Sequence, residues 1–166
     1  TKLINYLAKY NHWSPLAHTS ISIRVKAPIF MARQFVKHQI GLVWNEESRR
    51  YIDDTPEFYK PEVWRNKPSN VKQGSSGVVD FDGCEWIDES FDFIMQESLG
   101  AYKSMINDEV APEMARMILP QNTMTNWIWT GSLVAFARIV KLRTEEHAQI
   151  EAQELAKLIE GVVAPL

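Results

Sequence analysis

The chain has 166 residues, 45% apolar and 23% charged, with 18 Lys and Arg against 21 Asp and Glu for a net charge of −3. That length suits one domain, and the acidic balance excludes a non-specific nucleic-acid binder, which needs a dominant basic surface to displace counterions. No apolar run approaches the roughly 20 residues of a membrane span, Thr1–Asn11 carries no signal-peptide core, and the lone Cys84 allows neither an internal disulfide nor a cysteine-rich metal site, so a cytoplasmic protein is expected.

Along the chain, Leu3, Leu7 and Tyr10 recur at helical spacing until Asn11–Pro15 interrupts them. Across His18–Lys26, Ile21, Ile23 and Val25 alternate with Ser22, Arg24 and Lys26, the period of a half-buried strand. Pro28 suits the first turn of a helix through Phe30, Met31 and Phe35 toward His38. Gln39–Tyr51 has no sustained period but holds the densest polar cluster. Thr55–Gly83, punctuated by Pro56, Pro61, Pro68, Gly74 and Gly77, reads as a long connection. Within it, Gly74–Gly77 reads as flexible linker rather than as a phosphate cradle.

From Asp88 a helical stripe follows, through Phe91, Ile94, Met95, Leu99, Tyr102 and Ile106. Pro112 opens a short helix through Met117, and Pro120 closes it. Thr123–Thr130 reads as a strand, with Trp127 and Trp129 as core positions rather than stacking platforms. Leu133–Leu142 and Glu145–Ile159 read as two helices separated near Thr144. The fold class is α+β with helix in the majority.

Two clusters carry chemistry. Gln34, Lys37, His38 and Gln39 precede Asn45–Tyr51, where Ser48 and the guanidinium forks of Arg49 and Arg50 supply donors suited to phosphate oxygens; the bland reading is a solvated loop capped by Ser48. Arg116 and Leu119–Asn122 form a second group with Arg143 and His147–Gln149. Arg143, His147 and Glu151 are spaced by four, so one helix through them would put all three on one face. Read blandly, they are surface ion pairs. There is no G-x-G-x-x-G, no phosphate-binding P-loop, and no zinc spacing among His12, His18, His38 and His147. Cys84, between Asp82 and Glu85, has no cation to activate its thiol.

Lys37-His38-Gln39, the run Asn45–Tyr51, Lys26–Gln34, Ala115–Pro120 and Leu142–Gln149 together make the chain resemble the flavin-dependent thymidylate synthases, the ThyX family. The resemblance covers most of Leu3–Ile159. It implies a ThyX-like fold, helix-rich with a small, mostly antiparallel sheet, and one catalytic domain over residues 1–166 without the strand and helix with which many members begin. It further implies a homotetramer with shared FAD sites that methylates dUMP to dTMP, with methylenetetrahydrofolate as carbon donor and NADPH as reductant. No nucleic-acid polymer, membrane or metal is expected as a partner.

The resemblance also distributes roles. Gln34, Lys37, Glu46, Glu47, Ser48, Arg49, Arg50 and Arg116 meet dUMP, with Ser48 and Arg50 at its phosphate. Arg143 is the catalytic residue, stabilising the uracil as negative charge develops on it. His12, Ser14, Lys37, His38, Gln39, Glu46, Ser132 and Arg138 meet FAD, and His147 and Gln149 orient Arg143. The chain departs from the family pattern at Lys37 and Gln39, where the signature has arginines, and at Ala17, Ser132 and Val134, where many members have Glu, Asn and Arg. Arg138 is expected to compensate for the arginine missing at Val134. Two alternatives stay open: a related enzyme that hydroxymethylates dUMP, and a non-catalytic relic that binds nucleotide without flavin.

Overall fold

A computed structural model describes residues 2–69, 74–80 and 85–165. The elements in order are α1 (Lys2–Lys9), α2 (Ser14–Ala17), β1 (Ile21–Pro28), α3 (Ile29–Phe35), β2 (Leu42–Glu46), β3 (Arg65–Asn66), β4 (Ser76–Val78), α4 (Glu85–Asn107), α5 (Pro112–Ala115), a 3₁₀ turn (Arg116–Ile118), β5 (Met124–Gly131), α6 (Leu133–Arg143) and α7 (Ile150–Val163). β1, β5 and β2 make a three-stranded sheet in that order, and β3 and β4 an antiparallel pair. In the larger sheet, the side chains of Ser22 and Thr130 meet at 2.9 Å, whereas Ile29 N donates to Thr123 O at 2.9 Å. Rising residue numbers on one strand thus meet falling numbers on the next. Glu47 N to Asn126 O and Ser132 N to Gly41 O repeat that sense for β2. The fold is helix-rich with a small antiparallel sheet, as expected.

The chain forms two compact units. The first comprises Thr1–Val25, Phe35–Asn45 and Ile128–Leu166. Its centre is aromatic: Trp129, fully buried, makes T-shaped contacts with Phe35, Trp44 and Phe136 at centroid distances of 5.9, 5.3 and 5.7 Å. Edge-to-face contacts of this kind add to the stabilisation from burial alone. α6 packs on α7 and on α2. Along α7 the buried residues Ala152, Leu155, Ala156, Ile159 and Val163 recur at helical spacing. Gly131 lets two backbones approach here, since a Cβ would lie 2.5 Å from Leu42 Cδ2 and 2.8 Å from Gly41 O.

The second unit comprises Lys26–Gln34 and Glu46–Trp127. Met31, Tyr102, Ala115, Thr123 and Trp127 are its most deeply buried side chains among the described residues. The segment around Phe58 runs beside the start of β5: Tyr59 N donates to Asn122 O and Met124 N to Glu57 O, both at 2.8 Å. Lys60 lies between Asp88 and Asp92, and Trp64 Nε1 donates to Asp88, so the connecting segment is tied to the first turns of α4.

Several elements differ from expectation. Pro28 is the last residue of β1, and the expected helix through Phe30, Met31 and Phe35 follows it directly as α3 but stops at Phe35, short of His38; Ile29 N and Phe30 N donate to Thr123 O and Gln121 O. β2 occupies part of the stretch that showed no period. β3 and β4 lie within the long connection, and β4 includes Gly77 of the expected linker. Ile94 of the α4 stripe faces solvent, leaving Tyr102 as the fully buried residue of that helix. α7 begins at Ile150, not Glu145, so no single helix carries Arg143, His147 and Glu151. Gln153 stabilises the intervening loop by donating to Ala148 O at 2.8 Å. The reading of Cys84 lies outside the described residues, and among the described residues no helix is long and apolar enough to cross a membrane.

Candidate functional site

In the second unit, the chain leaving β2 builds a polar turn. Glu47 N extends the ladder by donating to Asn126 O, and Tyr51 N then closes the turn on Ser48 O at 3.1 Å. The buried Thr125 hydroxyl donates to Glu46 Oε1 at 3.0 Å, and Asn126 Nδ2 donates to Glu47 Oε2 at 2.7 Å, so β5 fixes both carboxylates. Arg50 Nε donates to Ser48 Oγ at 3.1 Å while its guanidinium lies over the Tyr51 ring at 5.0 Å. Arg49 turns to Asp54, pairing with its carboxylate at 3.0 Å and with its carbonyl at 3.2 Å.

These residues line a concavity of about 390 Å³ together with Arg116, Ile29, Leu119, Met124 and Thr125. That is within the range of small-molecule clefts. Arg116 reaches it from the 3₁₀ turn, with its Nε anchored to Glu113 O at 3.2 Å. Among the described residues neither Arg50 nor Arg116 is paired with a carboxylate. Two guanidinium groups and a hydroxyl can therefore converge on an anion, beside carboxylates able to accept from hydroxyl or N–H groups and an apolar wall able to take a ring. Of the residues expected at a nucleotide, Glu46, Glu47, Ser48, Arg49, Arg50 and Arg116 come together here. Arg49 does so with its charge already engaged. Gln34, in the last turn of α3, does not line this concavity. Ile29, Leu119, Met124 and Thr125 were not foreseen as site residues. Thr125 had a signal, as the inward polar residue of a strand that otherwise buries tryptophans.

The first unit holds two further groups. Arg143 Nε donates to His38 Nε2 at 2.9 Å, and the guanidinium sits over the Phe35 ring at 5.7 Å. Burial, and secondarily the Arg143 charge, hold the His38 imidazole below its ordinary range, so it is neutral near pH 7. Lys37 and Gln39 flank it as exposed residues. His147, expected to orient Arg143, is exposed in the loop between α6 and α7.

The other group is a concavity of about 290 Å³ lined mainly by apolar atoms of Trp13, Ile40, Val43 and Val134, with Ser132 and Arg138. Ser132 caps α6 by accepting from Ala135 N, and the close pair Gly41 and Gly131 forms part of the wall. Apolar surface with one guanidinium, from Arg138, and the hydroxyls of Thr19, Ser20, Thr130 and Ser132 suits a planar ring of a ligand that also bears an anionic group. His12 stacks near Tyr6 at 6.3 Å, and Ser14 opens α2 beside Trp13. Among the described residues no group of three or more His, Cys, Asp or Glu could hold a metal ion.

Residues 1–165 match the family model described as thymidylate synthase complementing protein, and the chain belongs to that family. It is 38% identical over 162 residues to a flavin-dependent thymidylate synthase of Thermus thermophilus, covering 97% of this chain and 58% of that protein. To the enzyme of the same name from Thermosipho africanus it is 35% identical over 163 residues, covering 96% and 70%. Among solved structures it is similar to the UMP/dUMP methylase PolB from Streptomyces cacaoi bound with 5-Br UMP, at a TM-score of 0.89 and 28% identity over 99% of this chain and 76% of that one. The chain thus spans little more than half the length of the Thermus relative. The family implied by the motifs is the family found.

Proposed function

We propose that this chain is the catalytic domain of a flavin-dependent enzyme that methylates dUMP at C5. The observation that carries the reading is the concavity where Ser48, Arg50 and Arg116 converge beside Glu46. In this reading those three hold the phosphate, and Glu46 and Glu47 accept from the sugar or base. Gln34 and Lys37 approach the same nucleotide. Arg143 balances the negative charge that develops on uracil; a guanidinium suits this because it stays protonated throughout. Relatives named flavin-dependent thymidylate synthases support the reaction class.

Ser132, Arg138, Ser14 and His12, with the apolar wall around Trp13, would hold FAD, and Lys37, His38, Gln39 and Glu46 would approach it. Bound flavin supplies hydride-transfer chemistry that this chain's side chains lack. In net terms, methylenetetrahydrofolate, dUMP, NADPH and a proton give dTMP, tetrahydrofolate and NADP+: the one-carbon unit gives up both bonds to folate nitrogen and bonds to C5, the C5 hydrogen leaves as a proton, and the hydride from NADPH completes the methyl group. We assign the active form to a homotetramer in the cytoplasm.

The test incubates the protein with FAD, NADPH, methylenetetrahydrofolate and dUMP, and identifies the nucleotide by mass spectrometry. dTMP formed by the wild type and absent with Arg143→Ala is the expected result. A hydroxymethylated product, or unchanged dUMP from flavin-loaded protein, would overturn the methylation reading. A second reading, UMP as substrate, is favoured by the likeness to a UMP/dUMP methylase. A parallel incubation with UMP decides it.

A further inference from the structure

Arg143 ends α6, whose last turn is closed by Thr144, with N and Oγ1 donating to Val140 O at 2.9 and 2.8 Å. The backbone under this arginine is therefore fixed, but an arginine side chain keeps several rotatable bonds and much rotamer entropy. Two contacts remove that freedom. The Phe35 ring lies under the guanidinium plane, and His38 Nε2 accepts from Nε at 2.9 Å. The imidazole is itself placed: His38 N donates to Phe35 O at 3.0 Å, and its ring lies 6.1 Å from that of Phe35.

We infer that His38 is a positioning residue, which as a neutral imidazole accepts from Arg143 Nε and thereby aims the two terminal amino groups of Arg143 at its ligand. Nε donates along one edge of the guanidinium, leaving the N–H groups of both terminal nitrogens available. Acceptance at Nε2 requires the proton on Nδ1, and a protonated ring would set donor against donor and cation against cation. The lowered proton affinity of His38 agrees with this state. The pair also joins residues 105 apart in sequence, whereas packing of their elements rests on the Trp129 cluster and on α6 against α7. Its removal should therefore leave the unit folded.

The inference rests on the proposed role of Arg143, so two readouts separate their failures. His38→Leu removes the acceptor, and His38→Gln places an amide oxygen near the position of Nε2. With rates taken per bound flavin, His38→Leu should lower kcat for dUMP methylation about 100-fold, the cost of a misaimed group at a reacting centre. KM for dUMP should stay within about threefold, and His38→Gln should restore kcat to within about tenfold of wild type. Independently of activity, the Arg143 Nε–H resonance should exchange slowly in wild type and His38→Gln, and rapidly in His38→Leu. Wild-type kcat per flavin in His38→Leu would overturn the positioning role, as would loss in His38→Leu that His38→Gln does not restore. If the wild type methylates nothing, the proposed reaction fails while the resonance still judges the pair: slow exchange surviving in His38→Leu would end the inference.

Discussion

Replacing Ser48 by Ala removes more than one hydroxyl. Ser48 Oγ accepts from Arg50 Nε at 3.1 Å, so the hydroxyl both offers its own proton to an anion and holds the guanidinium that would bind the same anion. A hydrogen bond to a charged group contributes about 1.5–3 kcal/mol. Each of Ser48→Ala and Arg50→Ala should therefore weaken dUMP binding about 10- to 150-fold. Independent contacts would multiply in the double variant. Because Ser48 holds Arg50, truncating Arg50 should cost less once Ser48 is gone, leaving a coupling of about 1.4 kcal/mol or more, a tenfold shortfall from the product. Isothermal titration of dUMP into the four proteins measures the cycle. Losses that add to within about 0.3–0.5 kcal/mol would show that the two residues bind independently and refute the reasoning.

Four further outcomes test the fold and its titration. Gly131→Ala should destabilise by about 1–3 kcal/mol in urea unfolding, because its Cβ meets Gly41 O and Leu42. Gly100→Ala, in α4 with open space around it, should stabilise by about 0.5–1 kcal/mol, and the reverse order would undo the packing argument. Trp129→Ala should cost about 3–5 kcal/mol, since it empties the aromatic cluster of the first unit. For His38, burial first and Arg143 second favour the neutral form, so the contribution to stability is complete above the ordinary 6.5 and is lost as pH falls through the lowered folded value. Urea midpoints between about pH 7.5 and 5 should fall more in wild type than in His38→Gln, and parallel profiles would contradict this sign.

Elements with a strict period were legible. β1 showed its alternation, and β5 follows from Thr125, Trp127 and Trp129 turning inward while Ile128 faces out. β2 was hidden because Leu42, Val43 and Trp44 put apolar side chains on both faces, with Val43 exposed. β3 and β4, of two and three residues, are too short to show a period. The start of α7 was misplaced because Glu145–Gln149 consists of acceptable helix formers, whereas side-chain bonding from Gln153 keeps that stretch a loop. At the site, the run Glu46–Arg50 announced itself as a dense group of anion ligands and carboxylates. The engagement of Arg49 by Asp54, five residues on, is a local contact set by the turn after Ser48, whereas the meeting of His38 with Arg143 has no local signature, since it depends on where the chain returns 105 residues later.

The strand order β1-β5-β2 also governs when the sheet can exist. β1 and β2 are not neighbours; both wait for β5, and the whole of α4 is made in between. At typical synthesis rates, the interval from Glu46 to Met124 lasts on the order of 4–16 s. During that time both earlier strands present unpaired backbone edges, the kind of surface that recruits other chains. Closing the sheet then requires contacts such as Ser22 with Thr130, 108 residues apart, a long-range step that slows folding relative to helix formation. Nascent chains that stall before residue 124 should thus be the aggregation-prone species, and slowing translation over α4 should lower the soluble yield.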